Sequence, residues 1–306
     1  AQLCTLYEGR GYREVMTPSL EFEDVFEHSH GQVPMERTVR VSDAQNRMLC
    51  LRPDCTIPIA RLVATKLRQA PHPLRLYYNT QVYATPREHA GKAAEFSQVG
   101  VELIGGDTRE GDFEILRLAL ESLRCAGGEC RLEICHIGFF QALFDELDAP
   151  EDVKVRVREL IEQKSFVTLG DLLAQYDQPA ARALAALPRL FGWADLFEKA
   201  REYVHSGAAK EALDELEALY RRLQEAGVAE NVVIDLGLCN QPDYYTGVIF
   251  RGFAGGAGEP VLSGGRYDRL IGRFGQETPA VGFGVNASLL ADSRVRGGVA
   301  GGGGVT

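Results

Sequence analysis

The segments Asp235–Phe250, which reads DLGLCNQPDYYTGVIF, and Leu262–Leu270, which reads LSGGRYDRL, decide how the fold is interpreted. Apolar residues alternate with other residues from Val232 to Cys239, which is the period of a β-strand. The alternation resumes from Val248 to Phe253, after a break at residues 240–242. This pattern predicts two neighbouring strands with a polar, aromatic corner between them.

Gly264 and Gly265 stand directly before Arg266 in the second segment. Two missing side chains let the backbone approach closely, either to a ligand or to another strand. A tight sheet corner explains a lone GGR sequence well. Two polar-aromatic blocks on successive strands favour a binding site instead.

These segments resemble the histidine-specific part of the histidyl-tRNA synthetase catalytic domain, whose usual spellings are RGLDYYTG and AGGRYD. Residues 243–247 (DYYTG) and 264–268 (GGRYD) match closely, but Asn240 occupies the position of the family's leading arginine. The resemblance implies an α+β fold of the class II aminoacyl-tRNA synthetase-like type, in which helices flank an antiparallel sheet.

Length and composition favour a protein with a large core. A chain of 306 residues with 45% hydrophobic content suits one large domain, with or without a smaller inserted domain. Charges interrupt every apolar stretch well before the ~18 residues of a membrane span, and no signal-peptide pattern opens the chain. We expect a cytoplasmic protein without membrane contact. The chain begins at Ala1 in what resembles the middle of a helix, which suggests that the native N-terminus lies upstream.

The charge pattern argues against general RNA binding. Lys and Arg number 33 against 43 Asp and Glu, for a net charge of −10, and no basic run occurs. Because basic side chains supply most of the affinity for nucleic acids, we expect no tRNA partner, although a local basic pocket is still permitted.

The seven cysteines form no CxxC pair, and their odd number argues against a full set of disulfides. Cys125, Cys130 and Cys135 are evenly spaced, but no histidine pair stands nearby at the spacing of zinc ligands. We interpret them as structural thiols, and we expect neither a metal nor a cofactor.

Residues 1–20 predict an amphipathic helix, a turn at Gly11 and a strand that ends at Pro18. The sequence GYREVMTP at 11–18 resembles motif 1 of class II synthetases, through which those enzymes dimerise. The resemblance implies a homodimer.

The segment LRPDCTIPIAR, residues 51–61, ends a strand at Pro53 and begins a helix. A cap on that helix explains Asp54 or Thr56 as well as a ligand site does. In histidyl-tRNA synthetases the equivalent LRPEGT places a glutamate and a threonine against the ammonium group of the amino acid. The resemblance implies that role for Asp54 and Thr56.

Residues 73–105 resemble motif 2 of the same enzymes, in which a long loop joins two antiparallel strands. Gln98 and Glu102 match residues that meet the histidine ligand. By contrast, Ala84 stands where the enzymes have an invariant arginine, and Pro86 replaces a glutamate. The resemblance implies that the amino-acid half of the site is kept and the nucleotide half is damaged.

Residues 141–228 show helical spacing throughout and lie between two predicted strands. They predict an inserted helical subdomain, which divides the synthetase-like core into residues 1–140 and 229–293. The glycine-rich residues 294–306 predict a flexible tail.

The strand-helix segment after residue 279 resembles motif 3, which places an arginine on the γ-phosphate of ATP in the enzymes. Leu289 stands at that position. Loss of one preorganised contact of this kind typically lowers a rate by about 10²–10³. Because three are missing, at Ala84, Asn240 and Leu289, we expect negligible synthetase activity and no catalytic residue.

This combination resembles the family of ATP phosphoribosyltransferase regulatory subunits, paralogues of histidyl-tRNA synthetase that lost its nucleotide chemistry and anticodon-binding domain. The resemblance implies a non-catalytic protein in a hetero-oligomer with the short catalytic subunit. Such a protein activates that subunit and takes part in histidine feedback in the first step of histidine biosynthesis. The resemblance also implies a histidine-like ligand pocket formed by Asp54, Thr56, Gln98, Glu102, Tyr244, Tyr245, Gly264 and Gly265.

Three alternatives remain at this point. A residual or divergent histidyl-tRNA synthetase-like enzyme would exchange pyrophosphate into ATP with histidine. A stand-alone histidine-binding sensor would bind histidine without affecting any phosphoribosyltransferase. A paralogue that transfers amino acids to another acceptor is less favoured, since that activity also needs the motif 2 arginine.

Overall fold

The computed structural model describes residues 1–27, 37–85, 94–239, 243–255 and 257–300. The chain divides into two compact units. The first comprises residues 1–130, 242–245 and 251–306, and the second comprises residues 131–241 and 246–250.

The first unit combines sheets with a few helices. Its helices are α1 (Gln2–Gly9), α2 (Asp24–Glu27), α3 (Thr56–Thr65), α4 (Thr108–Arg124) and α11 (Ala287–Ala300). Its strands are β1 (Arg13–Glu14), β2 (Leu20–Phe22), β3 (Arg40–Ser42), β4 (Met48–Leu51), β5 (Leu74–Tyr83), β6 (Glu95–Ile104), β11 (Leu262–Arg266) and β12 (Ala280–Asn286).

The second unit is mainly helical. Its helices are α5 (Ile137–Asp145), α6 (Glu151–Glu162), α7 (Phe166–Leu173), α8 (Pro179–Ala186), α9 (Leu196–Arg201) and α10 (Gly207–Glu225). Its strands are β7 (Cys130–His136), β8 (Phe191–Gly192) and β9 (Val232–Asp235), and β10 (Val248–Ala254) is divided between the units. The segment 141–228, predicted to be helical throughout, lies within this unit and also contains the short strand β8.

The main sheet of the first unit runs in the order β1-β5-β6-β12-β11. Strands β5 and β6 pair antiparallel, as the motif 2 resemblance predicts. Strands β12 and β11 continue the antiparallel pairing, whereas β1 pairs parallel with β5. A separate sheet has the order β2-β4-β3, and in it β3 and β4 form a hairpin. The Asp43 carboxylate closes that hairpin by accepting hydrogen bonds from the backbone N–H groups of Gln45 and Arg47.

One face of the main sheet packs against α1 and α4. Tyr7 of α1 is fully buried there, with its ring edge-on to Phe283 at 6.1 Å and its hydroxyl 3.0 Å from the Ser122 hydroxyl of α4. An aromatic pair with a hydrogen-bonded hydroxyl stabilises this layer. Glu102 and its neighbours project from the opposite face of the sheet.

The strand predicted from Val232 to Cys239 is shorter in the structure, since β9 ends at Asp235. The Asp235 carboxylate accepts a hydrogen bond from the Gly237 N–H at 3.1 Å. The backbone carbonyl of Asp235 accepts another from the Leu238 N–H. These bonds turn the chain. Strands β9 and β10, predicted to be neighbours, are separated by β7, which pairs parallel with β9.

Helix α11 continues to Ala300, so residues 294–300 are helical where the sequence predicted a flexible tail. The Asn286 side chain starts this helix by accepting a hydrogen bond from the Leu289 N–H at 3.0 Å. No glycine or proline interrupts residues 287–296, which lets the helix propagate. Residues 301–306 lie outside the described part of the chain.

Across the described residues, no helix combines the length and the apolar character that membrane crossing requires.

Candidate functional site

The centre of the candidate site is Glu102, whose side chain is 0% exposed. Gln98, Gly100 and Glu102 are two residues apart along β6, so they lie on the same face of the sheet. This face points away from α1 and α4. Glu102 pairs across the sheet with Gly282 of β12, and Gly100 pairs with Tyr78 of β5.

Glycines on the neighbouring strands provide the space that these side chains occupy. A Cβ atom at Gly282 would lie 1.8 Å from Oε2 of Glu102, and one at Gly100 would lie 2.4 Å from the Tyr78 hydroxyl. Larger residues at either position would displace a polar side chain of the site. The glycines of this sheet are therefore part of the architecture of the site.

Two hydroxyl groups hold the Glu102 carboxyl. The Thr56 hydroxyl donates to Oε1 at 2.8 Å, and the Tyr267 hydroxyl donates a short hydrogen bond to Oε2. Burial raises the pKa of Glu102 to about 8, the two hydroxyl donors oppose the shift, and the nearby charge of Asp54 adds to it. The carboxyl is therefore mostly neutral at pH 7.

Asp54 is buried just before α3, and its Oδ1 accepts a hydrogen bond from the Ile57 N–H at 3.2 Å. The capping role that the sequence offered as an alternative is therefore present. The same carboxylate lies near enough to the site for its charge to raise the pKa of both Glu102 and Tyr244. Asp54 therefore caps helix α3 and also lies near the carboxyl group of Glu102.

Arg52 positions the segment that carries Asp54 and Thr56. Its buried guanidinium donates to the carbonyl oxygens of Thr17, Pro18 and Gln81 and to the Thr80 hydroxyl. These acceptors belong to two other chain segments, so a single side chain joins three parts of the unit. Sequence reasoning did not single out this residue.

Three tyrosine rings line the same region. The ring of Tyr244 lies edge-on to Tyr245 at 4.9 Å and to Tyr267 at 6.0 Å. Tyr244 is 2% exposed, and within the described part of the chain its hydroxyl has no hydrogen-bond partner. A buried hydroxyl without a partner is unfavourable, so this atom is suited to meet a polar group of a ligand.

Gln98 completes the polar set. Its Oε1 accepts a hydrogen bond from the Tyr78 hydroxyl at 3.2 Å, and both side chains are buried. A Cβ atom at Gly284 would lie 2.9 Å from Nε2 of Gln98, so the amide is also accommodated by a missing side chain.

Gly264 and Gly265 are buried inside β11, where they pair with Phe283 and Gly282 of β12. Here the close backbone approach is to another strand. Gly265 shares a cross-strand row and a face with Glu102, whereas Gly264 lies on the opposite face of the sheet, with Phe283. The structure thus brings only Gly265 of this pair onto the face of the site.

Tyr267 and Tyr78 belong to the site but were not predicted from the sequence. Tyr267 follows the GGR sequence directly, and its position two residues beyond Gly265 signals the same face of the strand. Tyr78 shares a face of β5 with Leu76 and Thr80 and pairs with Gly100 of β6. Both signals depend on a register that the sequence does not reveal.

Two of the three positions interpreted as lost enzyme arginines, Ala84 and Leu289, fall within the described residues. Ala84 is buried just after β5, and its N–H donates to the carbonyl of Ala94. Leu289 lies in the first turn of α11. Asn240 and Pro86 lie outside the described part of the chain.

The assembled groups suit a cationic or hydrogen-bonding organic ligand. Two carboxyl groups and an amide offer acceptors, and the tyrosine rings offer apolar walls with polar tips. The described residues contain no group of three or more His, Cys, Asp or Glu side chains arranged to hold a metal ion.

Comparison with known proteins gives a consistent result. The histidyl-tRNA synthetase family matches residues 1–290. An ATP phosphoribosyltransferase regulatory subunit of Clostridium kluyveri is 38% identical over 95% of this chain and 76% of its own length. A protein of the same name from Acetivibrio thermocellus is 37% identical over 94% of this chain and 70% of its own length.

Solved structures agree with these sequence relatives. A Bacillus halodurans protein described as an ATP phosphoribosyltransferase regulatory subunit/histidyl-tRNA synthetase has a TM-score of 0.87 and 35% identity, covering 95% of this chain and 77% of that chain. Histidyl-tRNA synthetase from Nostoc has a TM-score of 0.79 at 19% identity over 97% of this chain and 70% of that chain, which shows the fold alone. The predicted class II synthetase-like fold is confirmed, and the chain belongs to the histidyl-tRNA synthetase family and, within it, to the ATP phosphoribosyltransferase regulatory subunits.

Proposed function

We propose that the chain is a non-catalytic subunit that assembles with the short catalytic subunit of ATP phosphoribosyltransferase and binds histidine in the pocket around Glu102. Association with that subunit would activate it, and histidine would feed back on the assembled complex. Similarity to the regulatory subunits supports the catalytic subunit as the partner. The chemistry of the pocket supports histidine as the ligand.

The observation that carries the ligand proposal is the buried pair of carboxyl groups, Asp54 and Glu102, near the Tyr244 hydroxyl, which has no hydrogen-bond partner among the described residues. Buried carboxyl groups of this kind favour a ligand that supplies countercharge. The ammonium and imidazole groups of histidine together offer a cation and two ring nitrogens. Each of these groups has an acceptor or a hydroxyl to meet in the site.

The non-catalytic proposal rests on three uncharged side chains. Amino-acid activation develops charge on phosphate groups, and fixed arginines would stabilise that charge. Ala84, Asn240 and Leu289 stand at the positions inferred for those arginines, and none of the three can supply a cation.

The charge of the second unit supports a function without tRNA. Its residues 131–241 and 246–250 include 12 Lys and Arg against 20 Asp and Glu, a net charge of −8 within the −10 of the chain. A polyanionic tRNA would be repelled by such a surface.

An exposed sheet face supports a homodimer. The cross-strand register of β2, β3 and β4 puts Leu20, Phe22, Val41, Leu49 and Leu51 on one face of the small sheet. We call these residues the apolar sheet face. Phe22 is 41% exposed, and Met16, just before β2, is 87% exposed. A contiguous apolar surface of this kind favours burial against a second copy. Because the proposed partner uses ATP, we also propose a cytoplasmic location.

The ligand proposal is tested by calorimetric titration with histidine. The wild-type chain is expected to bind, and Glu102→Gln is expected to bind at least about 10-fold more weakly, since hydrogen bonds to charged groups contribute ~1.5–3 kcal/mol. Glu198→Gln, at an exposed position on α9, is the matched control and should bind like the wild type. Equal affinity of Glu102→Gln and the wild type would refute the pocket assignment.

Two further measurements separate the alternatives. A residual synthetase would catalyse histidine-dependent exchange of pyrophosphate into ATP, and the proposed function predicts none. A stand-alone sensor would bind histidine and leave the catalytic subunit unchanged, whereas the proposed function predicts a stable complex with it.

A further inference from the structure

Two aromatic side chains of the second unit are exposed within a stretch that otherwise buries its apolar residues. Leu190, Leu196 and Phe197 are buried, whereas Phe191 is 42% exposed and Trp193, the single tryptophan of the chain, is 57% exposed. Single exposed apolar residues are common and need no explanation. Two large exposed aromatic residues within three positions do call for one.

Phe191 and Trp193 lie at the edge of a sheet. Strand β8 pairs antiparallel with β9. It is the last strand in the order β7-β9-β8, so its other side has no neighbouring strand among the described residues. The Arg131 guanidinium lies 6.0 Å from the centre of the Phe191 ring. We call Phe191, Trp193 and Arg131 the aromatic edge patch. Its composition matches the residues that dominate binding energy at protein interfaces, where Trp and Arg are enriched.

The backbone holds this patch in place. The Leu196 N–H donates to the carbonyl of Trp193 at 2.9 Å, which joins the patch to the start of α9. The Leu236 N–H donates to the carbonyl of Leu190 at 3.0 Å, which joins it to the end of β9. A surface that is already ordered loses little conformational entropy on binding.

The charge around the patch selects the kind of partner. The second unit carries a net charge of −8, from 12 basic and 20 acidic residues. The exposed side chain of Glu198 follows Trp193 closely in the chain, and that of Asp195 pairs with Lys199 at 2.8 Å. The charge of Arg131 is compensated by Glu133 at 2.9 Å. Because the faces of aromatic rings attract cations and the second unit as a whole is acidic, the patch fits a basic segment with apolar side chains.

We propose that the aromatic edge patch is the docking surface for a basic, partly apolar segment of the catalytic ATP phosphoribosyltransferase subunit. This inference rests on the proposed function for the identity of the partner. A second copy of the chain fits less well, because two units that each carry −8 repel one another. RNA is disfavoured by the same charge.

The test measures binding of the purified catalytic subunit from the same organism to the full-length chain by surface plasmon resonance. Trp193→Ala and Phe191→Ala are each expected to weaken the complex by about 30-fold, the size typical of interface hot spots. Phe166→Ala is the matched control, since this phenylalanine is also exposed in the second unit, on α7, and it should change the affinity less than about 3-fold.

A second measurement reports on Trp193 without changing its size. Incorporation of 5-fluorotryptophan labels the chain at this one position, and the catalytic subunit should shift its ¹⁹F resonance at saturation. The association rate should also fall as salt is raised, because the proposed attraction is between opposite charges.

The outcomes distinguish a wrong docking surface from a wrong proposed function. If the wild-type chain does not bind the catalytic subunit, the proposed function and this surface fail together. If the wild type binds while Trp193→Ala and Phe191→Ala bind equally well, the surface assignment alone is overturned. Loss of self-association or of RNA binding in these variants, with normal binding of the catalytic subunit, would also overturn it.

Discussion

The hydroxyl of Tyr267 donates a hydrogen bond to the carboxyl of Glu102, and both side chains are buried. This contact links the GGRYD segment to β6. It holds a carboxyl group whose pKa burial raises to about 8, so the protonation of Glu102 should report on both folding and ligand binding.

Glu102 should make the folded chain less stable as the pH rises. Below pH 4.5 the carboxyl is protonated in both the folded and the unfolded states, and between pH 4.5 and about 8 only the unfolded state ionises. Its contribution to the free energy of unfolding should therefore fall by up to ~1.4 kcal/mol per pH unit and then level off. Urea unfolding of the wild type and Glu102→Gln from pH 5 to 9 measures this difference.

In that experiment Glu102→Gln should gain stability relative to the wild type as the pH rises to about 8. The exposed Glu198→Gln variant should show no such trend. A constant difference between Glu102→Gln and the wild type over the whole range would contradict the raised pKa.

Histidine binding should release a proton. A cationic group of the ligand favours the ionised form of Glu102, which is mostly protonated at pH 7 because its pKa is about 8. Calorimetric titrations at pH 7 in phosphate and in Tris buffer should therefore differ by the ionisation heat of close to one proton. Affinity should rise as the pH approaches 8. Binding heats that do not depend on the buffer would argue against a cation beside Glu102.

Replacing Tyr267 by phenylalanine should raise the pKa of Glu102 further, because the hydrogen bond from Tyr267 opposes the effect of burial. The loss of one buried hydrogen bond should reduce stability by about 1–3 kcal/mol. Urea unfolding at pH 5 and pH 9 measures both effects. Tyr203→Phe is the control, since it makes the same change on a tyrosine of the other unit. An unaltered pH dependence in Tyr267→Phe would rule out the coupling.

Gly282→Ala should destabilise the chain strongly. The added methyl group would lie 1.8 Å from Oε2 of Glu102 and 2.4 Å from the carbonyl oxygen of Val101, and the backbone atom cannot move aside. We expect a loss of about 2 kcal/mol or more in the free energy of unfolding. Gly170→Ala in α7 meets no atom within 4 Å and should instead stabilise by about 0.5–1 kcal/mol. Equal melting temperatures of the two variants would show that the close packing around Glu102 is misassigned.

Phe22→Asp should weaken the homodimer, because it puts a charge into the apolar sheet face. Sedimentation velocity at a series of concentrations should show a shift to monomer. Phe191→Asp makes the same change at a similarly exposed phenylalanine and should leave the dimer intact. A dimer that resists Phe22→Asp but dissociates with Phe191→Asp would reverse the roles of the two surfaces.

The sequence predicted most directly what depends on local spacing. The resemblance to motif 2 implied the antiparallel pairing of β5 with β6 and singled out Gln98 and Glu102, which share a face because they are four residues apart on one strand. The sequence left Asp54 open between a helix cap and a ligand site; the structure contains the capping bond and places the carboxylate near Glu102, and the ligand role stays a prediction.

What the sequence did not predict depends on contacts between distant segments. Tyr267 reaches Glu102 because β11, β12 and β6 pair in one particular register, which places Gly265 and Gly282 in the same row as Glu102. The end of β9 depends on a side-chain bond from Asp235 to the Gly237 N–H, which a period-2 pattern does not reveal.

The central claim is that this chain regulates a catalytic ATP phosphoribosyltransferase subunit. The most direct test is the phosphoribosyl transfer rate of that subunit, purified from the same organism, with and without this chain and with and without histidine. The account predicts a higher rate when the chain is added and inhibition by histidine that is weakened in Glu102→Gln. A rate that the chain does not change, together with histidine-dependent pyrophosphate exchange by the chain alone, would contradict it.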